Sequence, residues 1–209
     1  MKILVLGATG GTGREIVREA VSKGHSVVAL VRSKAKAQDL AGVQLVEGDA
    51  RNEDALFRAL EGCSAVISSL GTTLSPFKEV TLLSAATRAL VAAMDRRKVR
   101  RLICITGMGA GDSAGHGGFV ADKLFFPLLL AKVYQDKDRQ EAIVRASNLD
   151  WVLVRPAMLT NKPGLGTMRA LTDLSKVNGG SIPRADVAKF AVEQLSNETW
   201  LRRAPSIMS

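Results

Sequence analysis

The sequence predicts a three-layer α/β fold in which helices wind on both faces of a mainly parallel sheet. Two observations predict it: short β-branched runs alternate with longer segments of helical periodicity, and a glycine-rich turn joins the first run to the first helix. The chain has 209 residues, which suits one α/β domain with a small added lobe, and no linker divides it. We therefore expect a single domain over residues 1–209.

The apolar runs are typical of strands that are buried on both faces. They cover residues 3–6, 26–31, 43–46, 65–68, 102–105 and 151–154. Helical patterns lie between or after them, at about residues 12–23, 52–60, 78–97, 134–147 and 185–195. This order predicts right-handed βαβ units, because a strand followed by a helix and a parallel strand nearly always has that hand.

Two segments depart from the alternation and are predicted to form a small substrate lobe. Residues 107–118 are rich in glycine and follow the fifth strand, while residues 160–181 follow the sixth and should be irregular. Long loops of this kind are more often functional or mobile than structural. We expect residues 107–132 and 160–181 to cover a pocket at the carboxyl edge of the sheet.

The glycine-rich turn has the spacing G-x-x-G-x-x-G and stands between a strand and a helix. Gly7 permits a tight turn, Gly10 lets the backbone approach a diphosphate, and Gly13 permits close packing of the helix on the strand. The free N–H groups and positive dipole end of the helix attract phosphate. This context predicts a Rossmann-type nucleotide site, whose contacts here are Gly7, Thr9, Gly10, Gly11, Thr12 and Gly13.

The end of the second strand predicts which dinucleotide binds. In NAD-preferring sites an acidic residue there accepts hydrogen bonds from the ribose 2′-hydroxyl, whereas a 2′-phosphate needs a cation. Here Arg32 ends the strand, Ser33 follows, and no carboxylate appears before Asp39. A guanidinium binds phosphate through two parallel hydrogen bonds. Arg32 and Ser33 are therefore predicted to contact NADP(H); the alternative is that Arg32 is a solvated loop residue.

The glycine motif resembles that of the atypical short-chain dehydrogenases/reductases, with NmrA-like proteins and flavin/biliverdin-IX-beta reductases as the nearest kin. The resemblance runs from residue 1 to about 195 and is also carried by Leu30-Val-Arg32, Glu47-Gly-Asp49, Ser69-Leu-Gly-Thr72 and Asp150-Trp-Val-Leu-Val-Arg-Pro156. It implies that Asp49 contacts the adenine amino group. The alternative is that Asp49 is a turn residue or the cap of the helix at 52–60.

Further cofactor contacts follow from the rule that ligands bind at the carboxyl ends of parallel strands. Residues beyond the third and fourth strands should lie near the adenosine half, and those beyond the fifth and sixth near the nicotinamide. The predicted contacts of this kind are Ala50, Leu70, Gly71, Thr72, Thr106, Pro156 and Met158.

The candidate catalytic residues are Tyr134 and Lys137, but their spacing departs from the family pattern. The resemblance implies a Tyr-x-x-x-Lys pair with an upstream serine, whereas Tyr134 stands three residues before Lys137 and the serine position is Thr106 or Gly107. Positions three and four before a residue differ by about 100° around a helix, so Tyr134 should not point where the usual acid points. Lys137 is predicted to contact the cofactor; the alternative is an exposed lysine within the charged run 136–139.

A site poor in acid–base groups favours an acceptor that needs little protonation by the protein. The leading hypothesis is an NADPH-dependent reductase of a flavin, quinone or tetrapyrrole-like molecule, which stabilises the transferred charge itself. The apolar run 124–130 could line its pocket or form core or a subunit contact. His116 could act as a donor or be a solvated loop residue. The alternatives are a non-catalytic NADP(H) sensor of the NmrA-like type and a sugar-nucleotide epimerase or dehydratase.

Charge and composition restrict the partners. The net charge is +9, but the densest basic run lies at residues 96–101, where cations complement the dipole at the end of a helix, and aromatic residues make up only 4%. We therefore expect a small-molecule substrate rather than nucleic acid, and a monomer or homodimer. Cys63 and Cys104 are predicted to be reduced core residues. No signal peptide, membrane span or metal-ligand cluster is recognisable, which predicts a cytoplasmic protein without a metal.

Overall fold

The computed structural model describes residues 1–72, 79–115, 130–177 and 179–209. The helices in these ranges are α1 (Gly11–Ser22), α2 (Glu53–Ala59), α3 (Leu82–Arg97), α4 (Ala131–Ala146) and α5 (Arg184–Glu193). The strands are β1 (Lys2–Leu6), β2 (Ser26–Val31), β3 (Val43–Glu47), β4 (Ala65–Ser68), β5 (Arg101–Ile105), β6 (Asp150–Pro156), β7 (Met158–Thr160), β8 (Arg169–Leu171), β9 (Ser181–Pro183) and β10 (Ser206–Met208).

The main sheet has eight strands in the order β3-β2-β1-β4-β5-β6-β10-β8. All neighbours pair in parallel except β10 and β8, which are antiparallel. The chain therefore starts in the middle of the sheet, runs outward through β2 and β3, and then returns past β1 to build the other half. This reversal of strand order confirms the predicted doubly wound fold and opens a crevice at the carboxyl ends of β1 and β4.

The core lies on both faces of the sheet, as the alternation of side chains along a strand requires. In β1, Ile3 and Val5 belong to a cluster with residues of α1 and α5, whereas Leu4 and Leu6 belong to a cluster with residues of α2 and α3. All four are essentially inaccessible to solvent. Burying both faces of each central strand explains why these strands read as continuous apolar runs.

The prediction that residues 160–181 are irregular holds for most of the described part of this segment, but not for all of it. The segment contains β8, which pairs with β10, and the start of β9, which pairs in parallel with β7. Each of these strands has only three residues. Such short strands carry no readable period, so their pairing is visible only in the folded chain.

The glycine-rich loop after β5, predicted to be functional or mobile, contacts α4 over its described part, residues 107–115. The Tyr134 hydroxyl donates to the Met108 carbonyl oxygen at 3.0 Å, and the Gly111 N–H donates to Asp138 Oδ1 at 2.7 Å. Asp112 also pairs with Arg155. His116 and most of the apolar run 124–130 lie outside the described residues.

The basic run at residues 96–101 is used within the fold. Arg96 and Arg97 stand in the last turn of α3, where Arg96 pairs with Glu53 at 2.7 Å and Arg97 donates to the Phe57 carbonyl oxygen at 2.8 Å. These contacts link the end of α3 to α2. Both cysteines are buried and free.

Two further absences concern the described part of the chain only. No helix there has the length and apolar character that crossing a membrane requires. Within the same ranges, His, Cys, Asp and Glu side chains form no group of three or more that could hold a metal ion.

Candidate functional site

A cavity of about 580 Å³ lies at the carboxyl ends of the strands, in the crevice that the strand order creates. Most of the predicted site residues meet there although they come from separate parts of the chain. Those that line it are Gly7, Thr9, Gly10, Gly11, Thr12, Arg32, Asp49, Ala50, Leu70, Gly71, Thr72, Thr106 and Lys137. The remaining predictions, Gly13, Ser33, Tyr134, Pro156 and Met158, are not among its lining residues.

The floor of the cavity is the turn between β1 and α1. Gly7 has a φ of +76°, and a Cβ there would lie 2.4 Å from the Ser69 carbonyl oxygen. Gly10 precedes α1, and no side chain caps the helix at this position. The first amide groups of α1 therefore face the cavity and are available to an anion, since the first N–H groups of a helix have no partner within it.

Gly13 is essential to this floor without lining it. A Cβ at Gly13 would lie 2.0 Å from the Gly7 carbonyl oxygen, so any side chain would force α1 away from β1. Gly13 is buried, and its close approach to Gly7 agrees with the packing role that the motif predicts.

Cations surround one end of the cavity, beyond β2 and β3. Asp49 accepts hydrogen bonds from Arg51 Nη2 at 2.6 Å and from Arg51 Nε at 3.0 Å. These bonds, reinforced by the charge of Arg32, lower the pKa of the Asp49 carboxyl to about 2. Asp49 therefore stays ionised, and the charge of Arg51 compensates its negative charge. Arg32 lines the same end of the cavity and adds a second positive charge there.

Asp49 does not cap α2. Asn52 is the cap, because its side chain accepts the Ala55 N–H at 2.9 Å. Asp49 instead closes a turn by accepting the Arg51 N–H at 2.8 Å. Of its two structural alternatives, the turn residue is correct and the helix cap is wrong.

The opposite end of the cavity lies beyond β5, against α4. Thr106 Oγ1 donates to Glu141 Oε1 at 2.8 Å, and Lys137 Nζ donates to the Thr106 carbonyl oxygen. Burial lowers the pKa of Lys137. The alternative that Lys137 is an exposed lysine is wrong, because its side chain lines the cavity.

Its neighbour Asp136 is also not a solvated charge. It is completely buried and accepts the Leu83 N–H at 2.8 Å, at the start of α3. The Ser84 hydroxyl donates to the same carboxylate. Asp136 thus links α4 to α3, and the next residue, Lys137, lines the cavity.

Tyr134 lies next to this end of the site. Its hydroxyl and Lys137 Nζ lie 3.4 and 3.5 Å from where a Cβ on Gly107 would stand. The hydroxyl donates to the Met108 carbonyl oxygen, so it faces the loop after β5. This position agrees with the prediction that Tyr134 does not replace the acid of a Tyr-x-x-x-Lys pair.

Three other predicted contacts are not among the residues that line the cavity. Pro156 is buried in β6 beside Ile207 of β10, and Met158 has 72% of its surface exposed. Ser33 leads into a short 3₁₀ turn at Lys34–Ala37. The carboxyl-end rule places a strand end near the ligand, but it does not say which side chain of the turn faces it.

Two lining residues with chemical consequences were not predicted from sequence: Arg51 and Arg184. Arg51 could have been found from its position two residues after Asp49, within the same turn. Arg184 had no such signal, because it reaches the cavity from the first turn of α5, far along the chain. The other lining residues that were not predicted as contacts are Leu30, Val31, Gly48, Ser69, Leu82, Ile105 and Leu159.

Comparison with known proteins supports this geometry. The profile of a family described as NAD(P)H-binding matches residues 7–198. The uncharacterized sugar epimerase YhfK of Bacillus subtilis (strain 168) is 31% identical over 98% of this chain and 92% of its own length.

Two solved structures share the fold across the whole chain. The anaerobillin reductase ChuY of Escherichia coli O157:H7 has a TM-score of 0.85 with 24% identity, covering 100% of this chain and 97% of its own. A short-chain dehydrogenase/reductase of Veillonella parvula DSM 2008, in complex with NADP, has a TM-score of 0.82 with 20% identity, covering 100% and 94%.

Proposed function

Because the chain belongs to the NAD(P)H-binding family, we propose that it is an NADPH-dependent reductase of a small aromatic electron acceptor, such as a flavin, a quinone or a tetrapyrrole-like molecule. The family assignment agrees with the predicted resemblance to atypical short-chain dehydrogenases/reductases and accounts for the uncapped start of α1. The choice of acceptor and of NADPH goes further and rests on the two ends of the cavity.

The observation that carries the acceptor class is the hydrogen bond from Thr106 to Glu141. The serine position of the resembling enzymes falls on Thr106 or Gly107 here; Gly107 has no side chain, and the Thr106 hydroxyl donates its proton to Glu141 Oε1, 2.8 Å away. The Tyr134 hydroxyl likewise donates to a backbone carbonyl. A simple ketone needs a protein acid during reduction, whereas an electron-accepting ring system stabilises the charge and takes its proton from solvent.

Under this proposal the protein contributes binding and orientation. NADPH supplies the hydride when it is bound. The amides at the start of α1 hold its diphosphate, and Lys137 holds the nicotinamide-side ribose through its ammonium group. Fixing donor and acceptor in this way accelerates the transfer without a proton donor.

The preference for NADPH rests on the cations beyond β2 and β3. Arg32 and Arg51 both line the cavity, and Arg51 is also paired with Asp49. A 2′-phosphate at this end would meet two guanidinium groups, each able to form parallel hydrogen bonds. The neighbour from Veillonella parvula that holds NADP has the same fold, as does ChuY, which is described as an anaerobillin reductase.

The test is a turnover assay with purified protein, NADPH and a panel of flavins, quinones and biliverdins, followed at the absorbance band of reduced nicotinamide. Steady oxidation with at least one acceptor is the expected result. Tight NADPH binding without oxidation on any acceptor would instead identify a redox sensor. Interconversion of nucleotide-sugars without net loss of NADPH would identify the epimerase alternative.

A further inference from the structure

Arg184 extends from α5 across the glycine-rich turn. A Cβ on Gly11 would lie 2.8 Å from Arg184 Nε and 3.1 Å from its Cδ. The guanidinium is steadied at its far side by a hydrogen bond from Nη1 to Asn161 Oδ1 at 2.9 Å. The side chain lines both the main cavity and a smaller one of about 250 Å³ beside it.

This arrangement explains a glycine that the motif does not require. The spacing G-x-x-G-x-x-G calls for Gly7, Gly10 and Gly13, whereas Gly11 occupies a variable position and is not in the positive-φ region. Its structural requirement is space, since any larger residue would displace Arg184. Gly11 and Arg184 therefore act as a fitted pair.

The electrostatics of Arg184 call for an anion. It is half-buried and forms no ion pair with any described residue, whereas the nearby Arg18 pairs with Glu15 at 2.5 Å. It also lies beside the start of α1, where the helix dipole is positive. Two like charges without a counter-ion are unfavourable, and an anion bound between them relieves both.

The C-terminal part of the chain holds Arg184 in place. β9 pairs in parallel with β7, so that Pro183, directly before Arg184, lies opposite Thr160. Val187 and Ala191 of α5 share a buried cluster with Ile16 and Val17 of α1. The guanidinium is thus carried by packed elements rather than by a free loop.

We infer that Arg184 is a binding residue for the cofactor's diphosphate, contributed by the C-terminal segment and opposed to the amides of α1. This inference rests on the dinucleotide site assumed under the proposed function but not on the choice of NADPH or of the acceptor. It assigns to β7, β9 and α5 the task of completing the cofactor site. Because the diphosphate is common to both dinucleotides, Arg184 should serve NADH and NADPH equally.

The test measures dissociation constants by calorimetry for NADPH, NADH and adenosine 2′-monophosphate, which lacks a diphosphate. Arg184→Gln is expected to weaken NADPH and NADH by the same factor, roughly 10- to 100-fold, the range for a hydrogen bond to a charged group. Its affinity for adenosine 2′-monophosphate should match that of the wild type, which also shows that the site is folded. Arg184→Lys should lose less.

Lys162→Gln is the matched control, because Lys162 lines only the smaller cavity and its loss removes the same charge. It should change each affinity less than twofold. If Lys162→Gln and Arg184→Gln lost the same affinity, the effect would be a general electrostatic one, and the assignment of Arg184 to the diphosphate would be wrong. The assignment would also be wrong if Arg184→Gln bound NADPH and NADH within twofold of wild type. This includes the case in which only the KM for the acceptor rises.

A double-mutant cycle tests the fitted pair independently. Gly11→Ala should weaken NADPH binding more in the wild type than in Arg184→Ala, because only the wild type has a guanidinium to displace. Equal effects in both backgrounds would contradict the contact. The proposed function would be wrong if the wild-type protein bound NADH as tightly as NADPH, or if it turned over no acceptor. The binding measurements on Arg184 could still be interpreted in either case.

Discussion

Thr106 and Glu141 share a hydrogen bond that joins the candidate site to a buried ion pair. Thr106 Oγ1 donates to Glu141 Oε1 at 2.8 Å, and Arg155 Nε donates to the same oxygen at 2.9 Å. Glu141 and Arg155 are 2% and 3% exposed, so solvent contributes little to stabilising either charge and each charge stabilises the other. The Thr106 hydroxyl is therefore part of a buried hydrogen-bond network that stabilises the fold.

Removing the Thr106 hydroxyl should affect turnover only modestly. Thr106→Val keeps the shape of the side chain and leaves Glu141 paired with Arg155, so kcat with the best acceptor should fall less than about tenfold. A general acid at this position is worth about 10²–10⁴ in rate. Steady-state kinetics distinguish the two ranges, and a loss of 10² or more with unchanged thermal stability would assign the proton to Thr106.

Neutralising Glu141 should destabilise the protein strongly. Among the described residues, Glu141→Gln leaves the buried Arg155 with the exposed Asp112 as its one remaining charged partner, and breaking a buried pair in this way costs about 3 kcal/mol or more. Urea unfolding with a constant m value measures it. The control is Glu79→Gln, whose exposed carboxylate lies 3.7 Å from Arg139 and should contribute less than about 1 kcal/mol. Equal costs for the two variants would contradict this account.

The pKa of Lys137 should appear in the pH dependence of NADPH binding. Burial lowers this pKa from its ordinary value of 10.5, so the ammonium loses its proton at a lower pH than a solvated lysine does. Since the cation is present below its pKa, affinity should fall as pH rises through the lowered value. In Lys137→Arg the alkaline decline should disappear, because a guanidinium remains protonated. An identical decline in both proteins would assign it to another group.

Gly13 and Gly71, two glycines of the predicted site, should respond differently to a methyl group. In Gly13→Ala the Cβ would lie 2.0 Å from the Gly7 carbonyl oxygen, so α1 must move off β1 and stability should fall by at least about 2 kcal/mol. A Cβ on Gly71 would meet no described residue within 4 Å, so Gly71→Ala should stay within about 0.5 kcal/mol of wild type. Chemical unfolding compares them, and similar values for both would remove the packing role of Gly13.

The fold could be predicted because its signals are local. In β1, Ile3 to Leu6 form an apolar run, and the turn at Gly7 follows at once, so element type and order can be read from neighbouring residues. The short strands β7 to β10 could not be predicted, since three residues with mixed side chains carry no period. Their existence depends on pairing with segments that are distant in sequence.

The candidate site divides in the same way. Arg32 and the glycine turn were predictable from their place after strands, whereas Arg184 was not, because only the packing of α5 on α1 brings it to Gly11. Lys137 could be named as a candidate from its position after Tyr134, but its burial could not be predicted from sequence. The neighbouring Asp136 is bound to the start of α3, and this contact appears only in the folded chain. Motif spacing locates residues along one element, and tertiary packing decides which of them meet.

Arg32 and Arg51 should set the choice between the two dinucleotides. Arg32→Asp replaces a phosphate-binding cation by a repelling carboxylate, so NADPH should weaken more than about 100-fold while NADH changes less than about threefold. Arg51→Gln should also weaken NADPH selectively, but less, because part of that guanidinium's charge is already matched by Asp49 at 2.6 Å. The ratio of the two dissociation constants, measured by calorimetry for each variant, is the readout. Equal losses for NADPH and NADH in Arg32→Asp would place the 2′-phosphate away from Arg32, and a larger selective loss in Arg51→Gln would make Arg51 the principal cation.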